Sequence, residues 1–371
     1  MNLTIDLLLK RTDDKNLFDI VEKVISGFRV TKGEALYLYE KAELPLLGYL
    51  AEVVNRKKNG KKAYFIVNIQ INPTNICMYQ CDFCAFGVKK SDPKAYEMEM
   101  EEIIRRVGYA YGKGAREVHI VGGIPSHWEY ERYIEIVKNI KKNFPEIIIK
   151  AWTAVEIHHM AQISGKSYYE VLSELKDAGL SALPGGGAEI FSERVRKIIA
   201  PYKADAKAYL EIHKTAHTLG IPTNATMLYG HVESIEERIE HLDKLRSLQD
   251  ETGGFQVFIP LAYWPQDTRL GGERTSSIDD LKTVAISRIY LDNFDHIKAY
   301  WVTLGEKLTQ IALNYGADDI DGTIEDEKIV HSAGTKASKG HSREFLIKLI
   351  KDAGKIPVER DTFYNEVKVY A

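Results

Sequence analysis

All three cysteines of this 371-residue chain, Cys77, Cys81 and Cys84, sit in one short stretch, Asn72–Gly87, at C-x3-C-x2-C spacing. An odd, tightly spaced set cannot be a disulfide framework, which needs paired thiols spread across a fold. A structural zinc site asks for four Cys or His ligands, commonly in two short-spaced pairs. Here no second pair exists and the nearest histidine is His119. Iron–sulfur clusters are held by thiolates, and a simple electron carrier supplies four. Three thiolates leave one iron of a [4Fe-4S] cube open, which suits a cluster that chelates a small molecule. That reading fits best, with a zinc site or an incomplete carrier site as the alternatives.

Composition narrows the setting. The net charge is −3 with 28% charged residues, an ordinary surface with no footprint for nucleic acid. No run approaches the ~18 apolar residues of a membrane helix. Met1–Lys10 is apolar in part, but Asp6 and Lys10 interrupt it and no small-residue cleavage site follows, so it is a poor signal peptide. A cytoplasmic protein is the expectation, since thiols stay reduced there and clustered cysteines bind metal or do catalysis.

The elements that must position these thiols follow from hydrophobic pattern. β-rich runs recur at 64–72, 116–123, 147–154, 179–186, 221–230, 254–263, 296–304 and 317–323. The last, around "DDIDG", is the most polar. Between them lie amphipathic helical stretches, several ending at glycine, the usual helix stop. Alternating strands and helices imply parallel pairing through right-handed crossovers. Eight units at ~250 residues match an α/β fold, a (β/α)8 TIM-type barrel; a doubly wound sheet is the rival. The chain reads as one domain: an N-terminal helical extension over 1–60, the barrel over 61–323, and a C-terminal extension with a helix and tail over 324–371.

Barrel active sites lie in the loops after the strands, and the cysteine loop follows strand one directly. After strand two, Gly122 and Gly123 allow a ligand to approach the backbone, or form a plain tight turn. After strand four comes "PGGGAEIFSERVR", which lacks phosphate-loop spacing; Glu189 there is suited to accept from ribose hydroxyls. Strand five places Asn224, Thr226 and Leu228 on one face by alternation. His158 and His159 follow strand three beside Glu156. The loop after strand six carries Tyr263, Trp264, Arg269 and Arg274.

The cysteine spacing, with Phe83 just before the last thiol, resembles the radical S-adenosylmethionine (SAM) superfamily. "HIVGGIP", "KAWTAVEI", "LPGGGAEIFSERVR", "TNATMLYGH" and "DIDGTIEDEKI" are similar to a subgroup acting in the futalosine route to menaquinone and in deazaflavin synthesis. "HIVGG", "FSERVR" and "VERDTFYN" look most like the aminodeoxyfutalosine synthase family. The turn "GGIPSHW" departs from the family's "GGLHP" type, with His127 as the substitute histidine.

The resemblance implies that Cys77, Cys81 and Cys84 hold a [4Fe-4S] cluster whose free iron binds SAM as co-substrate. It assigns Phe83, Gly122, Gly123, Glu189 and Thr226 to SAM. It also implies addition of the 5′-deoxyadenosyl radical to the aryl enol ether 3-[(1-carboxyvinyl)oxy]benzoate, giving 6-amino-6-deoxyfutalosine after rearrangement and loss of carbon dioxide or bicarbonate. Cyclic dehypoxanthinyl futalosine synthase and the deazaflavin-precursor synthase are the alternative activities. A low-potential donor of flavodoxin or ferredoxin type would supply the electron. Two substrate carboxylates call for cationic or polar donors, for which Arg269 and Arg274 are the candidates; Asn72 and Glu156 are further candidate substrate residues.

Overall fold

A computed structural model describes residues 14–371 apart from Asp326, so the Met1–Lys10 reading falls outside the described residues. Among the described residues the strands are β1 (Lys62–Ile66), β2 (Asn68–Ile71), β3 (Glu117–Ile120), β4 (Ile148–Ala151), β5 (Leu180–Ala182), β6 (Thr223–Tyr229), β7 (Phe255–Ala262), β8 (His296–Ile297), β9 (Asp319–Gly322), β10 (Ile356–Arg360) and β11 (Glu366–Val369). Parallel ladders run β2–β3–β4–β5 and β6–β7–β8. Single bridges, Leu183 to Thr223 and Lys298 to Asp319, join these runs to each other and to β9. Pairing of β9 with β1 closes the ring.

Strand one is divided because its neighbour changes. Residues 62–66 pair with the tail strand β10, and residues 68–71 pair with β3. At the joint, Val67 accepts a hydrogen bond from the amide of Arg116 at 2.9 Å. The tail therefore inserts at the floor of the barrel, opposite the loops that carry the chemistry. Arg360 on β10 is buried and donates to Asp319 at 2.6 Å, and the Tyr364 ring stacks on His296 at 3.7 Å. The polar eighth strand is explained by this: Asp319 and Asp321 face interior cations, with Lys298 3.1 Å from Asp321. Strand seven is shorter than the pattern suggested, because Trp301–Leu304 coils into a helical turn instead of continuing β8.

Helix ends follow local chemistry. Thr153, Ser167 and Ser234 form reciprocal capping boxes with Glu156, Glu170 and Glu237, and Gly165, Gly179 and Gly253 end helices in the left-handed region. The N-terminal helices Lys15–Ser26, Lys32–Lys41 and Leu44–Asn59 pack on the barrel's side, along Ile235–Thr252 and Ser277–Tyr290. No helix among the described residues is long and apolar enough to cross a membrane.

Candidate active site

The cysteine loop leaves β2 and folds back on itself. The Cys77 amide donates to Val88 at 2.9 Å, and the Met78 amide to Ile124 at 2.8 Å. A Cβ on Gly87 would stand 3.1 Å from Cys77 Cβ, a tight approach, and in van der Waals contact with the sulfurs of Cys77 and Cys84, each 3.8 Å away. The Gly87 amide points at Cys84 Sγ, 3.4 Å away. From outside, Arg269 bonds Asp82 at 2.9 Å and the Gln80 carbonyl, clamping the loop to the segment after β7.

All three cysteines line one end of a cavity of about 300 Å³ inside the barrel mouth. Burial pushes the Cys81 thiol up to about 12, opposed by the nearby Lys203 ammonium. Metal loading must expel such protons, and the Lys203 charge favours the thiolates. Lys203 is ion-paired with Glu189 and stands 5.2 Å over the Phe83 ring. Glu189 holds a left-handed φ of 46°, a conformation that costs a non-glycine residue ~1–2 kcal/mol. Its carbonyl accepts from the Leu228 amide at 2.8 Å, tying it to β6.

The glycines are required by protein backbone as much as by any ligand. A Cβ on Gly123 would sit 2.2 Å from the Ile76 carbonyl oxygen, and one on Gly185 2.9 Å from the carbonyl carbons of Asn224 and Ala225. Both glycines line the cavity. The segment after β9 closes over the top, with Glu327, Ile329, Val330 and Ala333 facing inward.

Residues 71–245 match the radical SAM superfamily, and residues 252–370 match the CofH/MqnC C-terminal region. Aminodeoxyfutalosine synthase of Thermus thermophilus is 48% identical over 96% of this chain and 97% of its own length. The chain belongs to the radical SAM superfamily. The Streptomyces coelicolor enzyme of the same name is 41% identical over 95% of this chain and 94% of its own. Cyclic dehypoxanthine futalosine synthase of that organism is 38% identical over 97% and 91%. Among solved structures, methylornithine synthase aligns with a TM-score of 0.73 at 19% identity, covering 92% of this chain and 97% of that one, a likeness of fold.

As a radical SAM enzyme the protein uses a [4Fe-4S] cluster and SAM, and the residues present fit the cluster. The three thiols share one cavity, and Gly87 leaves the space between two of them clear.

The other sequence-derived candidates divide. Phe83, Gly122, Gly123, Glu189, Thr226 and Glu156 all line the cavity, as do Asn224, Leu228, Tyr263 and Trp264. Thr226, however, spends its hydroxyl on the Gly185 carbonyl at 2.6 Å. Glu156 accepts from the amides of Gly122, at 3.2 Å, and Thr153, at 2.6 Å; burial raises its carboxyl to about 7. Asn72 does not line the cavity and donates to the Val121 carbonyl at 2.7 Å. Arg269 is the outer clamp described above. Arg274 is engaged with Asp280 at 3.1 Å and stacks on the outer face of Trp264, 5.2 Å from its ring centre. Neither arginine lines the cavity, so the substrate role expected for them is not what their side chains do here. His127 pairs with Glu97 at 2.9 Å, His158 bonds Tyr168 at 2.6 Å, and His159 packs against Tyr133.

Lys203, Gln70, His119, Tyr300 and Asp321 also line the cavity. Lys203 carries no motif signal. Alternation along β2 and β3 puts Gln70 and His119 on the inward face, so a polar residue at such a position was a signal the sequence analysis did not use.

Proposed function

We propose that this chain is an aminodeoxyfutalosine synthase. It adds the 5′-deoxyadenosyl group of SAM to 3-[(1-carboxyvinyl)oxy]benzoate and forms 6-amino-6-deoxyfutalosine in menaquinone biosynthesis. The observation that carries this is the 48% identity spread over 96% of the chain, with the three thiols opening on one cavity in the barrel mouth.

Cys77, Cys81 and Cys84 would hold the cluster, which would supply the electron for reductive cleavage of SAM. The protein's own contribution is enclosure and orientation. Val121, Leu228, Ile259 and Leu261 give the cavity apolar walls, and Tyr263 and Trp264 offer aromatic faces to the substrate ring. Val330 and Ala333 cover the mouth and keep water and hydrogen donors from the radical. A flavodoxin- or ferredoxin-type donor and a cytoplasmic location belong to the same proposal, because the cluster needs electrons at low potential and clustered thiols stay reduced in that compartment.

Anaerobic reconstitution, then mass spectrometry of products from SAM, dithionite and the aryl enol ether, tests the reading. A product retaining the adenosyl group is expected. Stoichiometric free 5′-deoxyadenosine instead would point to hydrogen abstraction, the alternative cyclic dehypoxanthinyl futalosine synthase reading.

A further inference from the structure

Deep in the cavity an imidazole has nothing to bond. His119 faces inward from β3, and the ladder registers place Gln70 beside it on one strand and Lys150 on the other. It lies two residues, about 7 Å, further down the barrel than Val121. Its Nε2 is sealed from solvent with no hydrogen-bond partner. Gln70 and Asn224 line the same cavity, and among the described residues neither side chain is engaged in a hydrogen bond. The neighbouring cations are committed: Lys150 to Glu117 at 2.8 Å and Lys298 to Asp321 at 3.1 Å. Burial, and then the Lys150 charge, lower His119 to about 4, so the ring is neutral at neutral pH and carries one N–H to donate.

A buried polar layer with open hydrogen-bonding capacity is retained where a ligand completes it. We propose that His119, with Gln70 and Asn224, binds the ring carboxylate of the aryl enol-ether substrate. This rests on the functional reading above. The vinyl carbon, with its own carboxylate, must meet SAM at the thiol end of the cavity. The ring carboxylate projects from the opposite end of the molecule, past the apolar residues Val121, Ile259 and Leu261, into the layer of His119. Neutral donors are what that place offers, because the interior lysines beside it are already balanced by carboxylates.

The test compares two substrates on the reconstituted holoenzyme at saturating SAM: 3-[(1-carboxyvinyl)oxy]benzoate and the same enol ether without the ring carboxylate. His119→Ala should raise KM for the dicarboxylate by about 10–100-fold, the loss of one hydrogen bond to a charged group. KM for the analogue should move less than about twofold, since it offers His119 no charge to bind. His119→Gln, which keeps a donor, should recover part of the loss. Equal changes for both substrates, or a weakened SAM affinity with unchanged KM, overturn the proposal. If His119→Ala fails to retain iron, Gln70→Leu is read on the same ratio of KM values. Wild-type protein that forms no adenosylated product sinks the functional reading, and this proposal with it; normal turnover with a flat ratio sinks this proposal alone.

Discussion

Lys203 and Glu189 form an ion pair at the thiol end of the cavity, joining the segment before the helix Ala206–Thr218 to the loop after β5. Their side chains are only 16% and 9% exposed, so removing one partner strands the other in a poorly hydrated place. Lys203→Met and Glu189→Gln should each cost about 3 kcal/mol or more, and the double variant should recover much of that. Urea denaturation of the apo protein at fixed pH measures the cycle. Strictly additive losses would show that the two charges are not coupled.

Replacing any one of Cys77, Cys81 or Cys84 by alanine should abolish iron retention and SAM cleavage, because the chain has no further thiol to substitute. Wild-type protein should hold about four irons and four sulfides, the content of one cube. Circular dichroism of the variants should be unchanged, since the barrel buries its core without the metal. Iron held at wild-type levels by a triple variant would end the cluster assignment.

The two arginines after β7 should behave differently from substrate ligands. Arg269 is 56% exposed, so Arg269→Ala should cost at most about 1 kcal/mol and leave KM for the aryl substrate within about twofold. Arg274→Ala should cost on the order of 2–3 kcal/mol, because Asp280 stays buried with only Tyr229 and Thr275 to satisfy it. Thermal melts and steady-state kinetics on the same preparations separate the effects. A large KM rise in Arg269→Ala would return it to the substrate site.

Glu156 should make the apo protein's stability depend on pH. Its folded carboxyl is raised to about 7 from 4.5, chiefly by burial. The folded state therefore keeps a proton that the unfolded chain releases, so the contribution is full below pH 4.5 and fades as pH rises to about 7. The loss across that window is on the order of 3 kcal/mol, and Glu156→Gln should flatten it. Denaturation midpoints between pH 5 and 8 that show the same slope in both proteins would count against this.

The floor offers a last check. Arg360→Met leaves Asp319 buried with Lys298 3.6 Å away as its remaining cation, and should cost about 3–5 kcal/mol. Cluster content should persist, because Arg360 enters from the side of the barrel opposite the thiols. A variant as stable as wild type in urea would mean the tail does not seal the floor.

The sequence by itself determined the parts governed by near neighbours. The three thiols and their spacing pointed to a cluster, which membership of the radical SAM superfamily bears out. Period-two runs and glycine stops marked the strands and helices, and the Ser/Thr-x-x-Glu boxes at Thr153, Ser167 and Ser234 set helix starts, because capping acts over three residues. Alternation along β6 correctly put Asn224, Thr226 and Leu228 on the cavity wall. What only the tertiary structure decided were the partners of long, charged side chains. Arg269 reaches Asp82, and Lys203 reaches Glu189, because ring closure brings loops from distant strands together. Arg274 turns to Asp280, six residues away, once the helix Ser277–Tyr290 packs against the barrel and buries that carboxylate. The split of strand one has the same origin: a tail strand nearly 300 residues downstream competes with β3 for its edge, and no local propensity encodes that pairing.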